Sequence, residues 1–232
     1  MFEFSPSEWT AIALSVRVAL VAVICSLPLA IGLGYLLARS SFPGKAVLDG
    51  FLHMPLVLPP VVTGYLLLLA FGRQGPIGAF LYDAFGLTFA FRWTGAALAA
   101  AVRGFPLMLR AIRLSFEAVD RRLEAASGTL GAGPFWTFLS VSLPLAAPGV
   151  LVGAILCFAK ALGEFGATIT FVSNIPGETQ TIPSAIYAYT QVPGGDSGAL
   201  RLTCVSIVIA LAALIAAERL GGRLQKRIAT FE

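Results

Sequence analysis

Charge is segregated along this chain, with long apolar runs between short clusters of charged residues. No fully charged residue falls between Arg17 and Arg39, a gap of 21 residues. As a helix that gap covers ~31 Å, enough to cross the hydrocarbon of a bilayer. A second run lies between Asp49 and Arg73, where only His53 and Tyr65 can titrate. A third, Trp93 to about Leu109, is interrupted by Arg103. A fourth runs from about Leu145 to Phe165 and contains Lys160 and Glu164. A fifth lies between Arg201 and Glu218 and extends a little beyond both. The pattern predicts an all-α polytopic membrane protein, one domain over 1–232, with about five spans near 11–38, 50–72, 93–110, 145–166 and 201–219.

Composition agrees: 57% hydrophobic, 12% charged and a mean hydropathy of +0.86 exclude an ordinary soluble domain. The basic residues then set orientation. The N-terminal tail has Glu3 and Glu8 and no base. The first connection has Arg39 and Lys45, the second only Arg73 and Arg92, and the third Arg110, Arg113, Arg121 and Arg122. The fourth, Val172 to Leu200, has none, and the C-terminal tail has Arg219, Arg223, Lys226 and Arg227. This alternation predicts an outer N-terminus and a cytoplasmic C-terminus. The net charge of +4 therefore reads as topology, and no solvated basic face suggests nucleic acid as a partner. The acidic start lacks the basic n-region of a cleavable signal, so the first span is expected to be an uncleaved anchor. Cys25, Cys157 and Cys204 all fall inside predicted spans and read as packing residues.

Several chemistries are missing. The three lysines, Lys45, Lys160 and Lys226, do not complete a G-x-x-x-x-G-K-[ST] phosphate loop. The single histidine, His53, cannot build a His-rich metal site and reads as an interfacial, hydrogen-bonded residue. No Gly-x-Ser-x-Gly elbow is present. No catalytic residue, metal ligand or cofactor is expected.

One stretch has no place in a span: Leu123 to Pro144, LEAASGTLGAGPFWTFLSVSLP. Ala125, Ala126, Ser127, Gly128, Gly131 and Gly133 are small enough to let a short helix press into a groove on another protein. Pro134 suits a helix N-terminus, Phe135, Trp136 and Phe138 are candidate anchors, and Pro144 and Pro148 mark the entry to the fourth span. An ordinary amphipathic interfacial helix would show similar features. The stretch resembles the coupling loop of ATP-binding-cassette importer permeases: an Ala-rich helical turn, a glycine (Gly131), nine residues, an aliphatic residue (Val141) and Leu143-Pro144. The resemblance implies that Ala125, Ala126, Gly131, Ala132, Leu143 and Pro144, within a cytoplasmic loop 111–144, meet an ATPase on a separate chain. It departs at the acidic position. Glu124 lies seven residues before Gly131 where the family places its Glu six before, so Ala125 occupies the position in register.

Two further segments narrow the family. His53–Gly78, HMPLVLPPVVTGYLLLLAFGRQGPIG, looks like the second span of molybdate permease subunits. Gly163–Tyr187, GEFGATITFVSNIPGETQTIPSAIY, is similar to both molybdate and sulfate permeases. Together they imply a type I importer permease fold and the membrane subunit of a molybdate or tungstate importer, with a sulfate or thiosulfate permease as the alternative. The implied partners are two ATPase subunits, an extracytoplasmic molybdate-binding protein, a second copy of the chain and membrane lipid. The loop 172–200 is long for a passive connector and could dock the binding protein.

Intramembrane ionisable residues are candidates for the path. Lys160 and Glu164, four apart, share a helix face and can pair. Arg103 could attract an oxyanion, but is expected to snorkel toward the cytoplasm with Arg110. A strong fixed cation would hold the anion too tightly, so Thr63, Thr168 and Thr170 join the candidates. Back-bonding to helix carbonyls would also account for those hydroxyls.

Overall fold

The structure, a computed structural model, describes residues 4–229. Glu3 and the side chains of Arg223, Lys226 and Arg227, used above for orientation, lie outside the described part. Among the described residues the chain is helical throughout, with no strand. Helix α1 (Pro6–Arg39) opens with a capping box in which Ser5 and Glu8 satisfy each other's backbone N–H. Four helical stretches are long and apolar enough to cross a membrane: Pro6–Arg39, Trp93–Ala118, Pro134–Leu162 and Asp196–Gly222.

A bent pair, α2 (Lys45–Val57) and α3 (Pro60–Phe71), meets at 113° and is apolar enough to make a fifth span if the two are taken together. The cause of the bend is local. Pro59 forces Leu58 into the extended region (φ −63°, ψ 142°), and Pro59 and Pro60 supply no N–H to continue the helix. Pro28 is accommodated inside a continuous α1. The connection after α3 forms a helix of its own, α4 (Pro76–Phe85), closed by Gly86 in the left-handed region.

Helix α5 (Trp93–Ala118) is the centre of the bundle. Some 61% of its apolar window is buried, against 11% for Asp196–Gly222. Its buried alanines Ala96, Ala97, Ala99 and Ala100 share a cluster with Leu14, Val18, Ala19 and Ala22 of α1, and Gly104 lies against Cys157 of the Pro134–Leu162 stretch. Small side chains let these backbones approach closely, which is how helices associate where lipid removes the hydrophobic drive. The helix continues to Ala118, past the expected end near 110, so the start of the expected loop 111–144 is helical up to Ala118.

After α6 (Arg121–Thr129) and the single turn α7 (Pro134–Thr137), a π-helical segment, Phe138–Ser142, feeds directly into α8 (Leu143–Leu162). The helical segment thus begins before Pro144 and Pro148. The span ends at Gly163, short of the expected 166, and a second short helix, α9 (Gly166–Val172), follows the break. Helix α9 packs on α3 so tightly that a Cβ at Gly64 would lie 2.5 Å from the Ala167 carbonyl oxygen. The stretch 172–200 is largely structured. Helix α10 (Ile182–Thr190) buries Ile182, Ser184 and Ala185, and Ser15 of α1 accepts a 2.7 Å hydrogen bond from the Ile182 N–H. The last helix, α11 (Asp196–Ala229), is tied to α1 by Arg201, whose Nε and Nη2 donate to Glu8 Oε1 at 3.0 and 2.8 Å. Cys157 is buried as a packing residue, while Cys25 and Cys204 lie exposed on the bundle's flanks.

Candidate functional site

The segment that resembled a coupling loop forms a defined surface at the end of the bundle where α1 finishes. Asp120 caps α6 by accepting from the Arg122 N–H at 2.9 Å. At the other end Gly131 adopts φ +87°, its N–H bonds to Gly128 O, and the Ala132 N–H bonds back to Ser127 O. This pair of bonds is a Schellman ending, which demands a left-handed residue and so explains the glycine of the motif. Nothing lies within 4 Å of a Cβ built on Gly131. The glycine therefore serves the turn, and no neighbouring side chain packs against it.

The turn holds an apolar surface away from the spans. Ala125, Ala126 and Gly131 are exposed, Ala132 is half-buried, and Leu130, Phe135 and Trp136 are 88%, 74% and 61% exposed. Leu130, not singled out from sequence, is the most exposed of these; its place just before the αL glycine was the available signal. Phe138 behaves differently from the other two aromatics. It packs on Tyr35 at 4.8 Å between ring centres and on Phe116 at 6.1 Å, so it anchors the segment to the bundle. Leu143 is half-buried and Pro144 exposed, both in the first turn of α8.

Glu124 faces inward. Its Oε1 accepts from Arg39 Nε at 3.0 Å and from Ser142 Oγ at 2.7 Å, and Arg39 Nη2 lies 2.9 Å from it. Arg39 also donates to Val119 O at 2.9 Å, and Arg121 Nη2 reaches Ala38 O at 3.5 Å. The acidic residue out of register with the family motif is therefore committed to its own chain.

A second constellation joins the two broken spans. Arg103, 5% exposed on α5, donates from Nε to Glu164 Oε2 at 3.3 Å and from Nη1 to Leu58 O at 3.0 Å and to Pro55 O. The expected snorkelling of Arg103 does not occur. The carbonyls freed at the α2–α3 break, together with a carboxylate, give a guanidinium more hydrogen bonds inside the bundle than the interface would. Glu164 sits in the break between α8 and α9, and its Oε1 accepts from the Ala167 N–H at 2.9 Å, capping α9. Lys160 does approach Glu164, but only to 3.9 Å, and its side chain stays 33% exposed. The expected Lys160–Glu164 pair is thus secondary to an Arg103–Glu164 pair. Spacing along one helix could not show a partner 61 residues away.

The threonines are mostly occupied. Thr63 Oγ1 reaches Pro59 O at 3.4 Å, Thr170 Oγ1 donates to Gly166 O at 2.9 Å, and Thr168 is buried. Thr63 also borders an apolar recess of about 570 Å³ between α1, α2, α3 and α5, with Cys25, Phe51, Met54 and Leu66. His53 Nδ1 donates to the Asp49 backbone carbonyl, 2.9 Å away. Among the described residues no group of His, Cys, Asp or Glu could hold a metal ion.

Residues 30–226 match the family of binding-protein-dependent transport system inner membrane components. The chain is 61% identical to the molybdenum transport system permease protein ModB of Escherichia coli K12, over 91% of this chain and 92% of that one. It is 54% identical to the ModB protein of Haemophilus influenzae, over 95% and 96% of the two chains. A crystal structure of a bacterial ABC transporter involved in the import of the acidic polysaccharide alginate superposes with a TM-score of 0.74 at 14% identity, covering 95% of this chain and 80% of that one. The bundle thus has the type I importer permease fold, and the protein is a multi-pass inner-membrane protein. Matched by this family over most of its length and by these relatives over nine-tenths of it, the chain belongs to the binding-protein-dependent transport system inner membrane components, on the branch of the molybdenum transport permeases.

Proposed function

We propose that this chain is the membrane permease subunit of an ATP-driven importer of molybdate, with tungstate as a second cargo of nearly the same size and charge. The observation that carries the cargo is the 61% identity to a molybdenum permease along nearly the whole of both chains. The sulfate or thiosulfate alternative is not favoured, because the relatives described above are molybdenum permeases. Two copies form the path. The face that α2 and α3 leave open, with Phe51, Val57, Val61 and Tyr65 all more than half exposed, supports a second copy as its cover. The N-terminus lies outside, and the α6 end faces the cytoplasm.

At that end the exposed platform of Ala125, Ala126, Leu130, Gly131, Phe135 and Trp136 docks in a groove of a separate ATPase subunit, one per permease. Small residues allow close approach and the aromatics fill pockets. ATP binding draws the two ATPase subunits together, the platforms move with them, and the spans tilt to open the path outward. A soluble binding protein delivers the anion to the opposite end, where Pro176–Glu178 and Gln191–Gly194 are exposed parts of the 172–200 stretch. Within the membrane Arg103 is neutralised by Glu164, so Lys160 is the cation left to face the path. A charged side chain exposed at membrane depth belongs in a wet cavity, not in lipid. Thr63, Thr168 and Thr170 lie on the neighbouring short helices. One moderate cation per subunit attracts a dianion without trapping it.

The test is uptake of labelled molybdate into vesicles holding this chain, its ATPase and its binding protein. ATP-dependent uptake blocked by excess tungstate but not by sulfate supports the reading. Uptake abolished by sulfate would move the chain to sulfate transport.

A further inference from the structure

Resting on the coupling reading above, we infer that Glu124 is a positioning residue that transmits movement of the α6 platform into α1 and α8 of its own subunit. One carboxylate oxygen gathers three elements: Arg39 at the last turn of α1, Glu124 on α6, and Ser142 where the π-helical segment becomes α8. The site is sheltered, with Arg39 and Glu124 side chains 10% and 17% exposed and Ser142 fully buried. Shelter strengthens a charged hydrogen bond and protects it from salt screening. The links are also doubled, since Arg39 holds Val119 O while Arg121 holds Ala38 O. A push on α6 therefore cannot be absorbed by sliding of the loop alone; it reaches α1 through two arginines.

The π-helical segment is the element able to yield. Its wider hydrogen-bond spacing tolerates local register change more readily than an α-helix, and such segments recur at functional positions. Phe138 at its start is pinned by Tyr35 and Phe116, and Ser142 at its end is pinned by Glu124. Movement of Glu124 thus bears on the entry turn of α8, the span that ends at the Glu164 break. The one-residue displacement of this glutamate from the family motif has a consequence here. From position 124 the side chain points into the bundle, while Ala125 and Ala126 take the outward face.

The experiment uses the whole transporter, permease with ATPase and binding protein, in lipid vesicles. The variants are Glu124→Gln, Arg39→Gln, Ser142→Ala and the reversed pair Arg39→Glu with Glu124→Arg. Three quantities are read: co-purification of the ATPase, stimulation of ATP hydrolysis by loaded binding protein, and molybdate transported per ATP. Each single variant should keep the ATPase bound but lose stimulation and transport per ATP by about tenfold, the scale of a typical coupling energy. The reversed pair should recover much of both. Unchanged stimulation and stoichiometry in Glu124→Gln and Ser142→Ala would overturn the inference. Loss of ATPase binding in Glu124→Gln would also overturn it, by making Glu124 a direct contact, while leaving the coupling reading intact. Failure of the coupling reading itself would show separately, as an ATPase that stays bound and stimulated when Leu130 and Trp136 are replaced by Ala.

Discussion

Replacing Arg103 by Met tests how the two broken spans are held. The methionine side chain reaches about as far as Arg Nε and carries no charge and no donor. Its loss leaves Glu164, 2% exposed, as a carboxylate with the Ala167 N–H and a lysine 3.9 Å away as its remaining partners. Breaking a buried ion pair from one side costs about 3–5 kcal/mol. The carbonyls of Pro55 and Leu58 lose their donor at the same time, which adds about 1 kcal/mol for each that finds no water. The expected loss is therefore about 3–7 kcal/mol, depending on how many of the two carbonyls find water. Arg103→Met combined with Glu164→Gln removes both charges, so the pair should cost about 1–3 kcal/mol less than the sum of the single changes. Equilibrium unfolding in mixed micelles, followed by tryptophan fluorescence, gives the three numbers, and vesicle uptake reports the working state. A loss below about 1 kcal/mol for Arg103→Met, or additivity within about 0.5 kcal/mol, would refute the reasoning. Arg103 would then be reaching water.

Gly64→Ala places a Cβ 2.5 Å from Ala167 O and 2.9 Å from both Ala167 Cα and Thr170 Cβ, so α3 and α9 must separate at a cost of about 1–3 kcal/mol. Gly32→Ala meets nothing within 4 Å and should be neutral or gain up to about 1 kcal/mol from helix propensity. Equal effects of the two in the same unfolding assay would contradict the packing. At Gly131 the φ of +87° disfavours a β-branched residue by about 1–2 kcal/mol, whereas Asn tolerates it. Gly131→Val should lose the co-purifying ATPase and uptake with membrane insertion intact, and Gly131→Asn should retain both; indistinguishable behaviour would remove the turn from the account.

Segregation of charge into clusters was enough to read a helical membrane protein and the approximate place of each span, because an apolar run of twenty residues has few other stable states. The spacing from Gly131 to Pro144 marked the platform, since a Schellman turn and a helix entry are local events written in adjacent residues. The angle of 113° in the second apolar run was not legible, because it depends on what receives the carbonyls freed by Pro59 and Pro60. That receiver is Arg103, 48 residues from Pro55, and its counter-charge is 61 residues further on. Read along one helix, Glu164 belonged with Lys160 and Arg103 with the interface. Glu124 stood out of register with the coupling motif and had no assigned partner, and Phe138 stood beside Trp136 as an anchor. The bundle reassigned all of them, because a sheltered charge or ring goes to whichever group satisfies it best. Sequence distance places no bound on that choice; only the packing of α1, α5 and α8 brings the groups together.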